Sequence, residues 1–490
     1  MRRHHGETPA FMPGSLICSA SAVFRPLVSC VRRISIVHRG GWIARKGGLK
    51  ATARLANEPP RPEGRGFKVA HRLLTPMALS RRLPVPPLRR WEAPVIITLL
   101  AWQWLAGTLA RRRYEGLPRV LAQGDDSPTA VGPALPPDRS RGHQIMERDY
   151  ALMPAAGGPG DPHHAPANPL PVSVIIPARD EAATLPALLA SLAVTQPPPD
   201  QILVVDDQSA DRTAEIAGAA GATVISASDP PPGWTGKTHA CHLGAQSADQ
   251  PWLLFLDADT TLRPQAVGAA IAYAEGARLD GLSLFLRQEC RSFWERLLLP
   301  HAYGLYFIGA RVGAPLANGQ FILIRAAAYE RCGGHAAVRG SIIDDVALAR
   351  ACQRAGVRLE MARGETLASV RMYSSLAGIR EGFGKNAARF LAVDPVGGAR
   401  TVAGSIAATL PPFLAWRAWR RGGKARVLAA VLSYGLGGRN LWYWQRLFQA
   451  GRRLAFAHPL AALVFQGIAC ESLARLVFRR GVTWKGRTYR

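Results

Sequence analysis

Along the chain, hydrophobic periodicity begins abruptly near residue 171 and changes character again after Pro395. Val172–Ile176 is a continuous apolar run of the kind a strand buried on both faces requires. Leu185, Leu188, Leu189 and Leu192 then fall at i, i+3, i+4 and i+7, which predicts a helix. A second apolar run, Ile202–Val205, precedes a polar helical start at Asp211. Thr223–Ile225 and Trp252–Leu256 read as further strands, with helical segments near 237–247 and 264–276. This alternation predicts an α/β fold, a mostly parallel sheet with helices on both faces.

The flanks carry different patterns. Residues 1–76 show neither period, which predicts a disordered leader, or an untranslated one if synthesis starts at Met77. From Ala93 to Ala110 the chain runs 18 residues without a charge, with Trp91, Trp102 and Trp104 as interfacial rings. Residues 91–113 are therefore expected to form an N-terminal membrane helix. Residues 114–170 read as a linker, rich in Gly, Pro, Asp, Ala and His from 123 onward. The region 171–395 is the expected catalytic-type domain, and 396–490 a set of membrane-associated helices with a basic tail. Its apolar stretches lie at 401–416, 427–438 and 454–470, each shorter than a comfortable span. Pro411-Pro412 is expected to interrupt the first. Basic loops on successive sides argue against all three crossing a bilayer, so at least one is expected to be re-entrant or interfacial.

Charge sharpens this picture. The 490 residues carry a formal net charge of +27, which by itself suggests a nucleic-acid binder. Residues 1–90, however, hold 18 basic and 3 acidic residues, and 401–490 hold 15 and 1. The stretch between them is nearly neutral, with 28 basic and 30 acidic residues. A DNA- or RNA-reading domain would concentrate basic residues on the folded unit itself, so no nucleic acid partner is expected. Hydrophobic residues at 48% and charged residues at 19% exclude a disordered chain. The seven cysteines are scattered and form no CxxC pair, which points to a reducing compartment.

In open parallel sheets, ligands bind outside the carboxyl ends of the strands, and the informative polar residues sit there. Pro177-Ala178-Arg179-Asp180-Glu181 follows the first strand, Asp206-Asp207-Gln208-Ser209 the second, and Asp257-Ala258-Asp259 the strand at 252–256. Two carboxylates one residue apart can present oxygens to a hard cation that also takes pyrophosphate oxygens, which suits Mg2+ or Mn2+. The chemistry that fits is binding of a nucleotide diphosphate. Gly233-Trp234-Thr235-Gly236-Lys237-Thr238 contains a Gly-Lys-Thr triplet, but Pro231 stands where a triphosphatase loop needs glycine. Glycine amides and a lysine opening a helix can still hold a diphosphate. Further on, Asn318-Gly319-Gln320 precedes the apolar run Phe321–Ile324, and Asp344-Asp345 opens a helical stripe. That acidic pair serves either as a helix cap or as a general base that deprotonates an acceptor hydroxyl.

The ordered set PVSVIIPARDE, VVDDQS, GWTGK, FLDAD, NGQFILIR and IIDDVALA resembles the inverting family 2 glycosyltransferases of GT-A fold, over residues 171–390. The GWTGK loop, RMYSS and GFGKN at 371–386, the apolar tail and Trp484-Lys485-Gly486-Arg487 resemble a narrower group. These are the membrane-bound glycosyltransferases associated with hopanoid biosynthesis, akin to carotenoid glycosyltransferases. The resemblance implies nucleotide-sugar contacts from Pro177, Arg179, Glu181, Asp206, Asp207, Gly236, Lys237 and Asp257. It implies a metal site at Asp257 and Asp259, and Asp345 as base with Asp344 beside it. Processive synthases of this family carry QxxRW after the base, whereas Asn386-Ala387-Ala388-Arg389-Phe390 stands here. The expectation is a membrane-anchored, metal-dependent enzyme at the inner membrane, its catalytic domain facing the cytoplasm. It would move a sugar from a nucleotide diphosphate sugar to a polyisoprenoid or hopanoid-type lipid. The alternatives are a carotenoid-acid glycosyltransferase, a processive polysaccharide synthase and a non-catalytic membrane scaffold.

Overall fold

The computed structural model describes residues 92–122, 169–310, 315–421, 423–478, 482–484 and 487–489. The expected leader and most of the expected linker lie outside the described residues. In chain order the elements are α1 (Glu92–Glu115), β1 (Leu170–Ala178), α2 (Leu185–Ala193), β2 (Pro199–Asp206), α3 (Thr213–Ala219) and β3 (Thr223–Ser226). Then come α4 (Gly236–Gln246), β4 (Trp252–Leu256), β5 (Thr260–Leu262), α5 (Ala266–Gly276), β6 (Gly281–Phe285), β7 (Arg287–Gln288) and α6 (Phe293–Gly309). These are followed by β8 (Phe321–Arg325), α7 (Ala326–Arg331), α8 (Asp344–Arg354), β9 (Leu359–Arg363), β10 (Ala368–Val370) and α9 (Leu376–Val393). The chain closes with α10 (Pro395–Arg420), α11 (Lys424–Leu447), α12 (His458–Val477), β11 (Val482–Trp484) and β12 (Arg487–Tyr489).

The main sheet has seven strands in the order β3-β2-β1-β4-β8-β6-β9. It is parallel except for β8, which runs antiparallel to both neighbours. Alternate residues of one strand feed two cores, because successive Cβ atoms point to opposite faces. Val174 and Ile176 pack with α2 and α5, and Ile175 packs with Val205, Phe255, Ala240 of α4 and Leu348 of α8. The periodicity did not reveal that β8 reverses direction, since an apolar run looks the same in either orientation. The helix expected at Asp211 begins at Thr213, with Asp211 Oδ1 accepting from the Thr213 amide at 3.0 Å. After α1, Val120 N donates to Arg363 O at 3.0 Å, which tethers this segment to the edge strand β9.

The helical layer departs from the sequence reading first at a pair of prolines. Pro411 and Pro412 do not interrupt α10, which is continuous from Pro395 to Arg420. A proline leaves the carbonyl four residues earlier without its helical donor. For Pro411 that carbonyl is Ala407 O, and the buried Gln103 of α1 supplies the missing hydrogen through Nε2 at 2.6 Å. The same Gln103 accepts from Ser433 Oγ of α11 at 3.0 Å. Its backbone oxygen accepts from Asn440 Nδ2 at 2.7 Å. Gly107 makes this approach possible, since a Cβ there would lie 2.3 Å from the Asn440 side chain. Among the described residues one helical stretch, Arg452–Arg475, is long and apolar enough to cross a membrane, which corrects the expectation that the stretch at 454–470 falls short of a span. The expected N-terminal membrane segment does form a helix, α1, which is not selected by that measure among the described residues.

Candidate active site

The predicted residues converge on the carboxyl edge of β1, β2 and β4, and local bonding explains how. Asp180 and Gln208 sit in left-handed backbone, with φ of 53° and 60°, just beyond β1 and β2. The Asp180 amide donates to Ser209 Oγ at 2.9 Å and its Oδ1 accepts from Ala210 N at 2.7 Å. Those bonds fasten the two loops together and offset the strain of the unusual backbone. Arg179 Nη1 donates to Asp207 O at 2.7 Å, and Asp206 Oδ1 accepts from Ser209 N at 3.2 Å. Pro177 lies at the end of β1, in register with Val205.

Helix α4 supplies the next side chains. Thr235 caps it, its hydroxyl accepting from Thr238 N, while Thr238 Oγ1 donates to Arg339 O at 2.6 Å. Gly236 is therefore the first helical residue, where the positive end of the dipole lies. It stands so close to Asp207 that a Cβ would come within 2.2 Å of Oδ2. The adjacent Lys237 reaches the other end of the site. Its Nζ donates to Asp257 Oδ1 at 2.6 Å and lies 3.8 Å from Asp344 Oδ2. Two consecutive residues thus join the Asp207 end to the Asp257 end.

Electrostatics separate the carboxylates. Burial, then Asp257 and Glu181, push the Asp259 carboxyl up to about 7. Burial and the adjacent Asp344 push Asp345 up to about 6, although its Oδ2 accepts from Gly319 N at 3.1 Å and its Oδ1 from Val346 N at 2.8 Å. Burial works against the Lys237 charge, but Asp257 and Asp344 outweigh it and hold that ammonium well above its ordinary range.

A divalent cation has a specific place to be tested. Asp259 Oδ1 is buried and has no hydrogen-bond partner. Such an orphaned oxygen is costly unless something positive meets it. Among the described residues no group of three or more His, Cys, Asp or Glu side chains is arranged to hold a metal alone. Magnesium and manganese need fewer protein ligands when phosphate oxygens and water complete the set, and Asp257 with Asp259 fits that donor pattern.

Three residues near the carboxylates were not singled out by sequence. Lys385 of α9 is held down to about 8 by burial and by Lys237, against the pull of Asp344, Asp257 and Asp345. Burial, then Asp259 and Asp257, raise the Tyr373 phenol. Tyr306 of α6 is raised by burial and by Asp345. The GFGKN and RMYSS strings flagged two of these segments, but nothing in the local pattern pointed Lys385 or Tyr373 at the Asp257 end of the site. Arg487, from the far end of the chain, sits directly on Asp207.

With this geometry in view, comparison with known proteins is informative. Residues 173–332 match the profile of glycosyl transferase family 2. The chain carries a family 2 glycosyltransferase domain. It is 29% identical over 339 residues to a 4,4'-diaponeurosporenoate glycosyltransferase of Staphylococcus aureus strain MRSA252, covering 65% of this chain and 88% of that one. The protein of strain USA300 matches to the same extent. Among solved structures it is similar to the mannosyltransferase PcManGT of Pyrobaculum calidifontis, in complex with GDP-Man and Mn2+. That match has 14% identity, 79% and 99% coverage and a TM-score of 0.44. Glucosyl-3-phosphoglycerate synthase of Mycobacterium tuberculosis, with Mn2+ and UDP-glucose, aligns at 18% identity, 46% and 79% coverage and a TM-score of 0.34. The family match ends at residue 332, before Asp345, Lys385 and Arg487.

Proposed function

We propose that this enzyme transfers one sugar, with inversion, from a nucleotide diphosphate sugar to a polyisoprenoid or hopanoid-type lipid at the inner membrane, its catalytic domain facing the cytoplasm. The observation that carries the acceptor reading is the position of Asp345. Its carboxylate neighbours α6, the helix that also packs against α1, α10, α11 and α12. Those helices expose Ile97, Trp104, Trp416, Trp419, Leu428, Leu432 and Leu463. Apolar exposure on that scale suits a membrane surface better than water, and residues 401–490 add a basic excess that suits anionic headgroups. Donor chemistry would sit at the sheet edge and the lipid would arrive from the helical side.

In this reading the proton of the acceptor hydroxyl passes to an Asp345 oxygen as the new C–O bond forms on the face opposite the departing diphosphate. Gly319 N and Val346 N keep that carboxylate oriented. Lys237 and Lys385 offer positive charge toward the diphosphate, and the α4 amides add to it. Mg2+ or Mn2+ held by Asp257 and Asp259 would neutralise negative charge on the diphosphate.

A second reading has its own support: the Staphylococcus relatives are named for a carboxylate acceptor. A carboxylate is already ionised near neutral pH and needs no base. The deciding experiment compares the membrane lipids of a deletion strain with those of strains restored by the wild type or by Asp345→Asn. Loss of a glycosylated lipid, not restored by the variant, supports a hydroxyl acceptor. Restoration by the variant supports a carotenoid-type acid. An altered polysaccharide with unchanged lipids would end both readings.

A further inference from the structure

The C-terminal strand pair belongs, on sequence, to a basic membrane flank, yet its one described arginine reaches the donor end of the site. Arg487 Nη1 donates to both oxygens of Asp207, at 2.6 and 2.5 Å. Its Nη2 donates to Gln208 Oε1 at 2.8 Å and lies 3.8 Å from Asp229 Oδ1. Both Arg487 and Asp207 are largely shielded, their side chains 17% and 7% exposed. A Cβ on Gly236 would come within 2.5 Å of Arg487 Nη1, so this guanidinium stands where the β2 end, the 229 loop and the α4 N-terminus meet. The pairing of β11 with β12 sets Trp484 opposite Arg487, and β11 rests against α9 and α12.

We propose that Arg487 is a positioning residue for nucleotide recognition, which makes the C-terminal strand pair a wall of the donor site. This inference rests on the donor-site reading of Asp207. Two physical reasons support it. An aspartate gripped through both oxygens cannot rotate, and each oxygen retains a lone pair that can accept from a base or ribose. The cation also compensates Asp206, Asp207 and Asp229, which would otherwise repel an incoming diphosphate. Lysine offers only a point charge and cannot span Asp207 and Gln208 as the planar fork does.

The test uses the full-length protein in detergent, with UDP and GDP as probes in the presence of MnCl2, and binding followed by titration calorimetry. Arg487→Ala should weaken the nucleotide the wild type prefers by about tenfold, a loss of ~1.4 kcal/mol, because Asp207 is no longer held in orientation. The KM for the matching sugar nucleotide should rise in step, while kcat stays within about threefold. Arg487→Lys should fall between the two. Equal affinity in wild type and variant overturns the proposal. Tighter binding by the variant also overturns it, since the strands would then be a plug and not a wall. If Arg487→Ala does not fold, the lysine variant decides: wild-type affinity in it rejects the role. A wild type that binds neither nucleotide would count against the donor reading of the site and not against Arg487 in particular.

Discussion

At the carboxyl edge of the sheet, carboxylates and ammonium groups are crowded together, and one buried oxygen, Asp259 Oδ1, is left without a partner. In the helical layer, polar side chains are dispersed, and Gln103 spends its amide repairing a carbonyl that a proline left open. The first arrangement stores unsatisfied electrostatics that a donor and a cation can meet. The second repairs one local defect, at Ala407 O, while other buried polar atoms of the layer, such as Trp102 Nε1 and Gln445 Oε1, make no hydrogen bond. The difference teaches that two buried polar groups can serve opposite ends: Asp259 Oδ1, set among charges, is open to a cation, whereas the Gln103 amide is consumed in holding a proline-containing helix in place.

The sharpest way to break this comparison is Asp345→Asn. Removing a general base should cost about 100- to 10,000-fold in turnover, with nucleotide affinity within a few-fold of wild type. Transfer assays alongside nucleotide titration would show it, and a variant that turns over normally removes Asp345 from the chemistry. The wild-type rate should also fall as pH drops through about 6, because only the ionised carboxylate accepts a proton.

Next in size is the cation response. Asp259 and Asp345 hold protons more tightly in the folded protein than carboxyls of ordinary pKa 3.8 would in the unfolded chain. Between about pH 4 and 7 folded stability should therefore decline as pH rises. A divalent cation binds the ionised form, so Mn2+ should raise the melting temperature more at pH 8 than at pH 6. Asp257→Ala/Asp259→Ala should abolish that increment, together with metal-dependent nucleotide binding. An increment that survives both substitutions would place the cation elsewhere.

A smaller effect is expected from Gly236→Ala, which drives a methyl against Asp207 and Arg487. Nucleotide affinity should fall about tenfold, a loss of ~1.4 kcal/mol, while the helical layer keeps its stability. The smallest effect on catalysis should come from Gln103→Leu. Leaving Ala407 O unpaired should cost about 1–3 kcal/mol of stability, measurable as a lower melting temperature, with KM for the donor unchanged. A large change in donor KM in that variant would show the two regions to be coupled after all.

Much of this enzyme was legible before any coordinates. Strands β1, β2, β4 and β8 lie where apolar runs were bounded by polar turns, because a strand buried on both faces needs an unbroken apolar run. Acidic pairs at strand ends pointed to the same sheet edge, because parallel connections bring carboxyl ends together. Order within α10 was not legible, since the donor that rescues Ala407 O comes from a residue 304 positions away. Lys385, Tyr373 and Tyr306 were equally hidden: each is an ordinary helix or loop residue until the chain folds.

What the sequence determined by itself was the local and the periodic: the α/β alternation, the carboxylates at strand ends, the basic apolar flank and the family of the domain. What the tertiary structure alone decided was which charges face one another. Lys237 against Asp257 and Asp344, and Arg487 against Asp207, are pairings across 20, 107 and 280 residues. Periodicity reports on neighbours within a few residues, whereas Coulomb interaction depends only on distance through space. The paired charges of this site therefore exist only once the sheet edge, α4 and the C-terminal strands have been brought together.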